Sequence, residues 1–121
     1  MKIFITIILF LICMPVLAEN RDWTEEEKIW GATAAVFTMT DWATTRNMTK
    51  RYNENYHELN PLLGTHPTTA QVNQYFAITV PVMYLIADNL DQYRSLFLMG
   101  LTGIELAVSA NNLRIGLHLN F

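Results

Sequence analysis

Three stretches of this 121-residue chain are almost free of charge. Residues 29–45 hold only Asp41, residues 67–87 hold no charged side chain, and residues 95–113 hold only Glu105. At about 1.5 Å of rise per residue, helices of these lengths cross, or nearly cross, a hydrocarbon layer of about 30 Å. The chain is 51% hydrophobic and 16% charged, against about 25% charged residues in an average soluble domain. That deficit points to lipid or to a very apolar core. Threonine, alanine, asparagine and tyrosine dilute all three stretches, so a soluble periplasmic three-helix bundle stands as the alternative.

The N-terminus reads as an export signal. Lys2 supplies the positive start, residues 3–12 form an unbroken apolar run, and residues 16–18 offer small side chains before a polar stretch opens at Glu19. An uncleaved anchor is the other reading. Cys13 is the single cysteine, which excludes an intramolecular disulfide and a cysteine-based zinc site. Ile12 before it does not suit a lipid-attachment site. The expected fold is therefore all-α: a signal peptide over residues 1–18, then one helical membrane domain over residues 19–121 with three spanning helices in a small bundle.

Local signals place the helices. Thr24 and Glu27 form a capping box, and Glu25, Glu26 and Glu27 suit the positive end of the helix dipole. Pro67 fits a first helical turn, and Pro81 lies inside the second stretch, where it frees the carbonyl of Ala77 and bends the helix. If the chain starts inside and crosses at each stretch, Lys2, Arg46, Lys50, Arg51 and Arg114 fall inside. Arg21, Lys28 and Arg94 fall outside with Glu19, Asp22, Glu25, Glu26, Glu27, Asp88 and Asp91. This is the positive-inside bias, and it favours a multi-pass protein of a bacterial inner membrane. Net charge is −3 with no long basic run, so nucleic acid is excluded as a partner. Lipid is the expected one, with a second copy or another membrane protein beside it.

Asp41 and Glu105 carry the chemical interest. An ionisable group in a spanning segment faces the bundle interior and has a partner. Gly31, Ala34, Thr38, Asp41 and Thr45 recur at three- and four-residue steps, as do Thr102, Glu105, Ser109 and Asn112. Such small, hydroxylated stripes are what helices in membranes use for close approach. Counted from the starts of their stretches, Asp41 lies roughly 18 Å deep and Glu105 roughly 15 Å, so the two carboxyls are expected to meet at one level. They then share a proton or a cation, or serve a structural hydrogen bond. The expected intramembrane cluster is Asp41, Thr45, Glu105, Ser109 and Asn112, with Arg46 as a further partner for Asp41.

A second cluster sits in the loop after residue 51: His57, Glu58, Asn60, Pro61 and His66. Its spacing matches no H-E-x-x-H metal motif, and a polar connecting loop is the plainer reading. Asn60-Pro61-Leu62-Leu63-Gly64 reads as a turn with an apolar foot, in which Gly64 takes positive φ. No G-x-S-x-G, phosphate loop or dinucleotide fingerprint is present, so no catalytic, cofactor-binding or metal-ligating residue and no cofactor is assigned. Ile115, Leu117, Leu119 and Phe121 alternate up to a final phenylalanine. That is the terminal-strand signal of outer-membrane barrels, but a barrel needs at least eight strands of about ten alternating residues. A short amphipathic tail is the simpler reading.

Asp41-x-x-x-Thr45, then Glu58-x-Asn60-Pro61-Leu62-Leu63-Gly64-x-His66-Pro67, then Glu105 and Asn112 resemble a pattern in a group of small uncharacterised membrane proteins of proteobacteria and their phages. The resemblance covers most of the chain after the signal. It implies a helical membrane architecture and no reaction. Three functions follow as expectations. The first is a structural or interaction protein of the bacterial envelope. The second is a proton- or small-solute-handling protein, or an enzyme, built on Asp41 and Glu105. The third is a holin-like membrane-active phage protein, which the uncharged last seven residues suit less well.

Overall fold

The computed structural model describes residues 21–121; the signal segment, with Lys2 and Cys13, lies outside them. Helix α1 (Glu25–Met48) begins at the capping box that Thr24 and Glu27 dictate. Thr24 Oγ1 accepts from the Glu27 amide at 3.2 Å, and Glu27 Oε2 accepts from the Thr24 amide at 2.9 Å. Helix α2 (Thr69–Asn89) opens on the same device two residues later than Pro67 suggests. Thr68 is the cap, paired reciprocally with Gln71, and Pro67 stands outside the helix and is buried. The threonine wins because its hydroxyl satisfies an orphan amide, which proline cannot do.

Helix α3 (Arg94–Arg114) has no side-chain cap. It follows a single 3₁₀ turn, Asp91–Tyr93, entered through Asp91 at φ 42°. Pro81 lies inside α2 with its ring exposed. Among the described residues there is no strand. Residues 117–121, the barrel-like alternation, form an extended tail that turns back along α1. Leu117 is buried, the His118 amide donates to Asn47 Oδ1 at 3.0 Å, and the Asn120 amide donates to the Ala43 carbonyl at 3.2 Å. Phe121 meets the Trp42 ring. The tail pairs with a helix side, so its alternation serves packing and not a sheet.

α1 and α3 run parallel and make the most extensive contact, while α2 runs antiparallel and touches both far less. Small and hydroxylated residues permit the α1–α3 approach: Ala34, Thr45, Thr102 and Ser109 are all buried. Interhelical hydrogen bonds then fix the register. Ser109 Oγ donates to the Phe37 carbonyl at 3.0 Å, and Asn112 Nδ2 donates to Asp41 Oδ1 and Thr44 Oγ1, each at 3.0 Å. On α2, Tyr84 donates to the Gly31 carbonyl and Asn73 accepts from Trp42 Nε1.

Ile29 (65% exposed), Val36, Met39, Ile78, Leu85, Leu96 (69%), Ile104 and Leu106 point outward on all three helices. One helix, residues Asp91–Arg114 with its leading turn, is long and apolar enough to cross a membrane by length and composition, and only 17% of its most apolar part is buried within the protein. A core helix of a soluble protein would be mostly buried. α1 and α2 have the length, about 36 and 32 Å, but their threonines and polar residues keep them below that apolarity.

Charges gather at the two ends. Arg21, Asp22, Glu25, Glu26, Glu27, Lys28, Asp88, Asp91 and Arg94 mark one end, and Arg46, Lys50, Arg51, Glu54, Glu58 and Arg114 mark the other. The first end is closed by a buried network. Glu27, 1% exposed, pairs with Arg21 and with Arg94, which is 0% exposed. Arg94 also donates to the Ala87 and Asp88 carbonyls at the end of α2 and stacks on Trp23, whose indole N–H donates to Asp88. Hydrogen bonding from Arg21, joined by the Thr24 amide and Arg94, holds the Glu27 carboxyl down at about 2.

Candidate functional site

The loose fit of α2 against the other two helices leaves a cavity of about 490 Å³. Three carboxylates line it: Asp41 from α1, Glu105 from α3 and Glu58 from the connecting loop. The two clusters read from the sequence therefore converge, although the loop lies outside the helical stretches. The loop is folded tightly enough to do this. The Glu58 amide donates to the Thr65 carbonyl at 2.9 Å, Glu58 Oε1 accepts from the Asn60 amide at 2.8 Å, and Asn60 Oδ1 accepts from the Leu62 amide at 3.0 Å. Gly64 closes the turn at φ 77°, as the sequence predicts.

Each candidate residue now has a place. Asp41, Thr45, Glu58, Asn60, Glu105 and Asn112 line the cavity, as does His57. Ser109 does not; its hydroxyl is used on the Phe37 carbonyl. Pro61 lies on the far side of α2, in a second hollow of about 430 Å³ that shares Leu63, Tyr75 and Thr79 with the first. His66 packs edge-on against Tyr52, with ring centres 4.7 Å apart, away from the cavity. The Tyr52 hydroxyl donates to the Pro67 carbonyl, and burial, then Glu58, pushes its phenol above the usual tyrosine range. Among the described residues no group of three histidines, cysteines or carboxylates comes together as metal ligands.

Two expectations need correcting. Asp41 and Glu105 are not level. Ser109 pairs with Phe37, Asn112 with Asp41 and Thr44, and Arg94 with Glu27, offsets of 72, 71, 68 and 67 residues along the parallel helices. Glu105 therefore stands opposite residues 33–38, about one to two turns or ~5–11 Å nearer the acidic end than Asp41. Counting depth from the start of each apolar stretch misses this because the Ser109 and Asn112 bonds set α3 a few residues nearer the acidic end. Asp41 Oδ1 instead accepts from Thr45 Oγ1 at 3.1 Å and from Asn112. Arg46 is not its partner either; the guanidinium lies over the Trp42 ring at 4.8 Å. Glu105 Oε2 is buried, and among the described residues nothing donates a hydrogen bond to it.

No family model, no curated protein and no solved structure matches this chain. The site must therefore be read from its own geometry. By the same register, the cavity descends from the loop at the basic end, past Asp41 and Tyr75, to Glu105 and Leu101. Tyr84 ends it, and Trp23 stacks on Tyr84 beyond, at a ring separation of 6.4 Å. Apolar side chains fill the wall between the carboxylate levels: Phe76, Val80 and Val108. On the α2–α3 side, Ile104 and Val108 line the cavity and are also exposed.

Sequence reasoning did not find Tyr75, the Phe76–Val80 wall or the Arg94–Glu27 closure. The only available signal for the last was a lone arginine opening an apolar stretch opposite an acidic helix start. Arg51 was read as a topology charge only; it pairs with Glu54, donates to the Gly116 carbonyl at 2.6 Å and pins the end of α3 to the loop.

Proposed function

We propose that this is a three-span protein of the bacterial inner membrane that holds a small solute in the cavity walled by Asp41, Glu58 and Glu105. The spans are residues 29–45, 67–87 and 95–113. The observation that carries this reading is the cavity itself: about 490 Å³ of space, in the range of small-molecule sites, inside a bundle whose large apolar side chains point outward. A scaffold needs no such space, and a proton relay needs far less. The cavity reaches the basic end and is sealed at the acidic end by Trp23, Tyr84, Glu27 and Arg94, so under the positive-inside rule it faces the cytoplasm.

Fractionation of the tagged protein, with reporter fusions in the loops holding Lys50 and Asp91, tests the reading. Recovery with the inner membrane, a cytoplasmic signal at Lys50 and a periplasmic signal at Asp91 are expected. A periplasmic signal from both loops would leave a soluble bundle and end the proposal.

A separate observation favours an association role alongside solute binding. Gly100, Gly103 and Ala110 form a stripe on the face of α3 turned away from Glu105. All three are exposed, and nothing lies within 4 Å of a Cβ placed on either glycine. Small residues at this spacing let a second helix approach closely in lipid. Cysteine cross-linking along that stripe distinguishes a dimer from a monomer.

A further inference from the structure

Resting on the membrane-embedded cavity above, we propose that its ligand is a linear aliphatic diamine, bound with one ammonium group at Glu105 and the other at Asp41. The two carboxylates line one cavity and sit ~5–11 Å apart along its axis by helix register. A molecule with two positive ends joined by a short methylene chain can reach both. The wall between the two levels suits such a chain, because Phe76, Val80 and Val108 are apolar. At the Asp41 level the Tyr75 ring lines the same space, and an ammonium group is attracted to an aromatic face.

The deep end lacks a donor in the structure. Glu105 Oε2 is buried and accepts no hydrogen bond, and leaving a carboxylate oxygen unmatched in an apolar setting is costly. An ammonium group brings three donors. The upper carboxylate is held ready, since Thr45 and Asn112 fix the Asp41 side chain through Oδ1. Glu58, at the loop end, adds negative charge where the ligand enters. An anionic solute would meet like charge from the carboxylates that line the cavity.

The test uses the full chain purified in detergent micelles, titrated calorimetrically with 1,4-diaminobutane, with butylamine and with magnesium chloride. Saturable diamine binding is expected, at least tenfold tighter than butylamine, with no comparable heat from magnesium. Glu105→Gln keeps the side-chain shape and is expected to weaken diamine binding roughly tenfold or more, toward the butylamine level, as loss of a charge-assisted hydrogen bond implies. Equal binding of the diamine and butylamine, equal binding of magnesium, or a diamine affinity unchanged in Glu105→Gln would each overturn the proposal. The comparison among ligands on the unmodified protein stands even if the variant fails to fold. A protein that shows the three-span topology but binds no diamine refutes this inference and leaves the membrane reading intact. A protein found in the periplasm refutes the reading beneath it.

Discussion

Replacing Arg94 by alanine is expected to cost more than any other single change at the acidic end. The side chain is fully buried and its guanidinium is used on several sides. Nε donates to the Ala87 carbonyl at 3.0 Å, Nη2 to the Asp88 carbonyl at 2.9 Å, and Nη1 to Glu27 Oε2 at 3.3 Å. The carbonyls of Ala87 and Asp88 are among those that a helix end leaves unpaired, so Arg94 acts as the C-terminal cap of α2 from the next element. Its loss takes this donor from the Asp88 carbonyl, leaves the Ala87 carbonyl with the Leu90 amide alone, and removes one of two cations from the buried Glu27. Removing one partner of a buried pair costs about 3–5 kcal/mol. Because Arg21 remains on Glu27, the low end of that range applies, about 3 kcal/mol. Arg94→Lys keeps the charge but not the fork and is expected to lose roughly half as much. Reversible unfolding in mixed micelles, followed by tryptophan fluorescence, measures both, since Trp23 stacks directly on Arg94. A loss below about 1 kcal/mol for Arg94→Ala would show that water or Arg21 replaces its bonds and that the closure is not structural.

The same network sets an acid limit. The Glu27 carboxyl falls from its ordinary 4.5 to about 2 in the fold, so it stabilises the folded protein fully above pH 4.5. That contribution is lost as pH drops from 4.5 toward 2; unfolding midpoints across this window should fall in the native chain and stay flatter in Glu27→Gln. Gly31→Val should destabilise, because a Cβ at Gly31 already meets the Trp23 ring at 3.0 Å, and thermal melts should report a loss of about 1–3 kcal/mol from overpacking. Pro81→Ala should fold and insert as the native chain does, since the ring is exposed on α2 and alanine restores a helical donor; loss of membrane recovery would contradict this. Gly64→Ala should cost about 1 kcal/mol by the same melts, as Gly64 sits at φ 77° where a side chain is strained.

Much of this protein is legible without its structure because the relevant signals are local. Capping at Thr24 and Glu27 depends on residues three apart. The turn at Asn60 to Gly64 depends on an Asx bond and one positive φ. The small stripes on α1 and α3 follow from helical periodicity. Each of these is decided by a few neighbouring residues, and each appears in the fold. The choice of Asp41 and Glu105 as residues of interest also needs only composition, since polar groups in apolar stretches stand out.

Register, by contrast, is a tertiary quantity. The sequence places Asp41 and Glu105 at like depths from the starts of their stretches, yet the Ser109–Phe37 and Asn112–Asp41 bonds set α3 so that they sit one to two turns apart. Nothing within either helix encodes that slide, because it is set by which interhelical bonds can be made at once. The same holds for the cavity, which exists because α2 is held only at its ends and by a few polar contacts. It holds too for the 117–121 tail, whose alternation is that of a strand but whose amides find Asn47 and Ala43 on a helix. Periodicity states which side chains share a face, and only packing decides what that face meets.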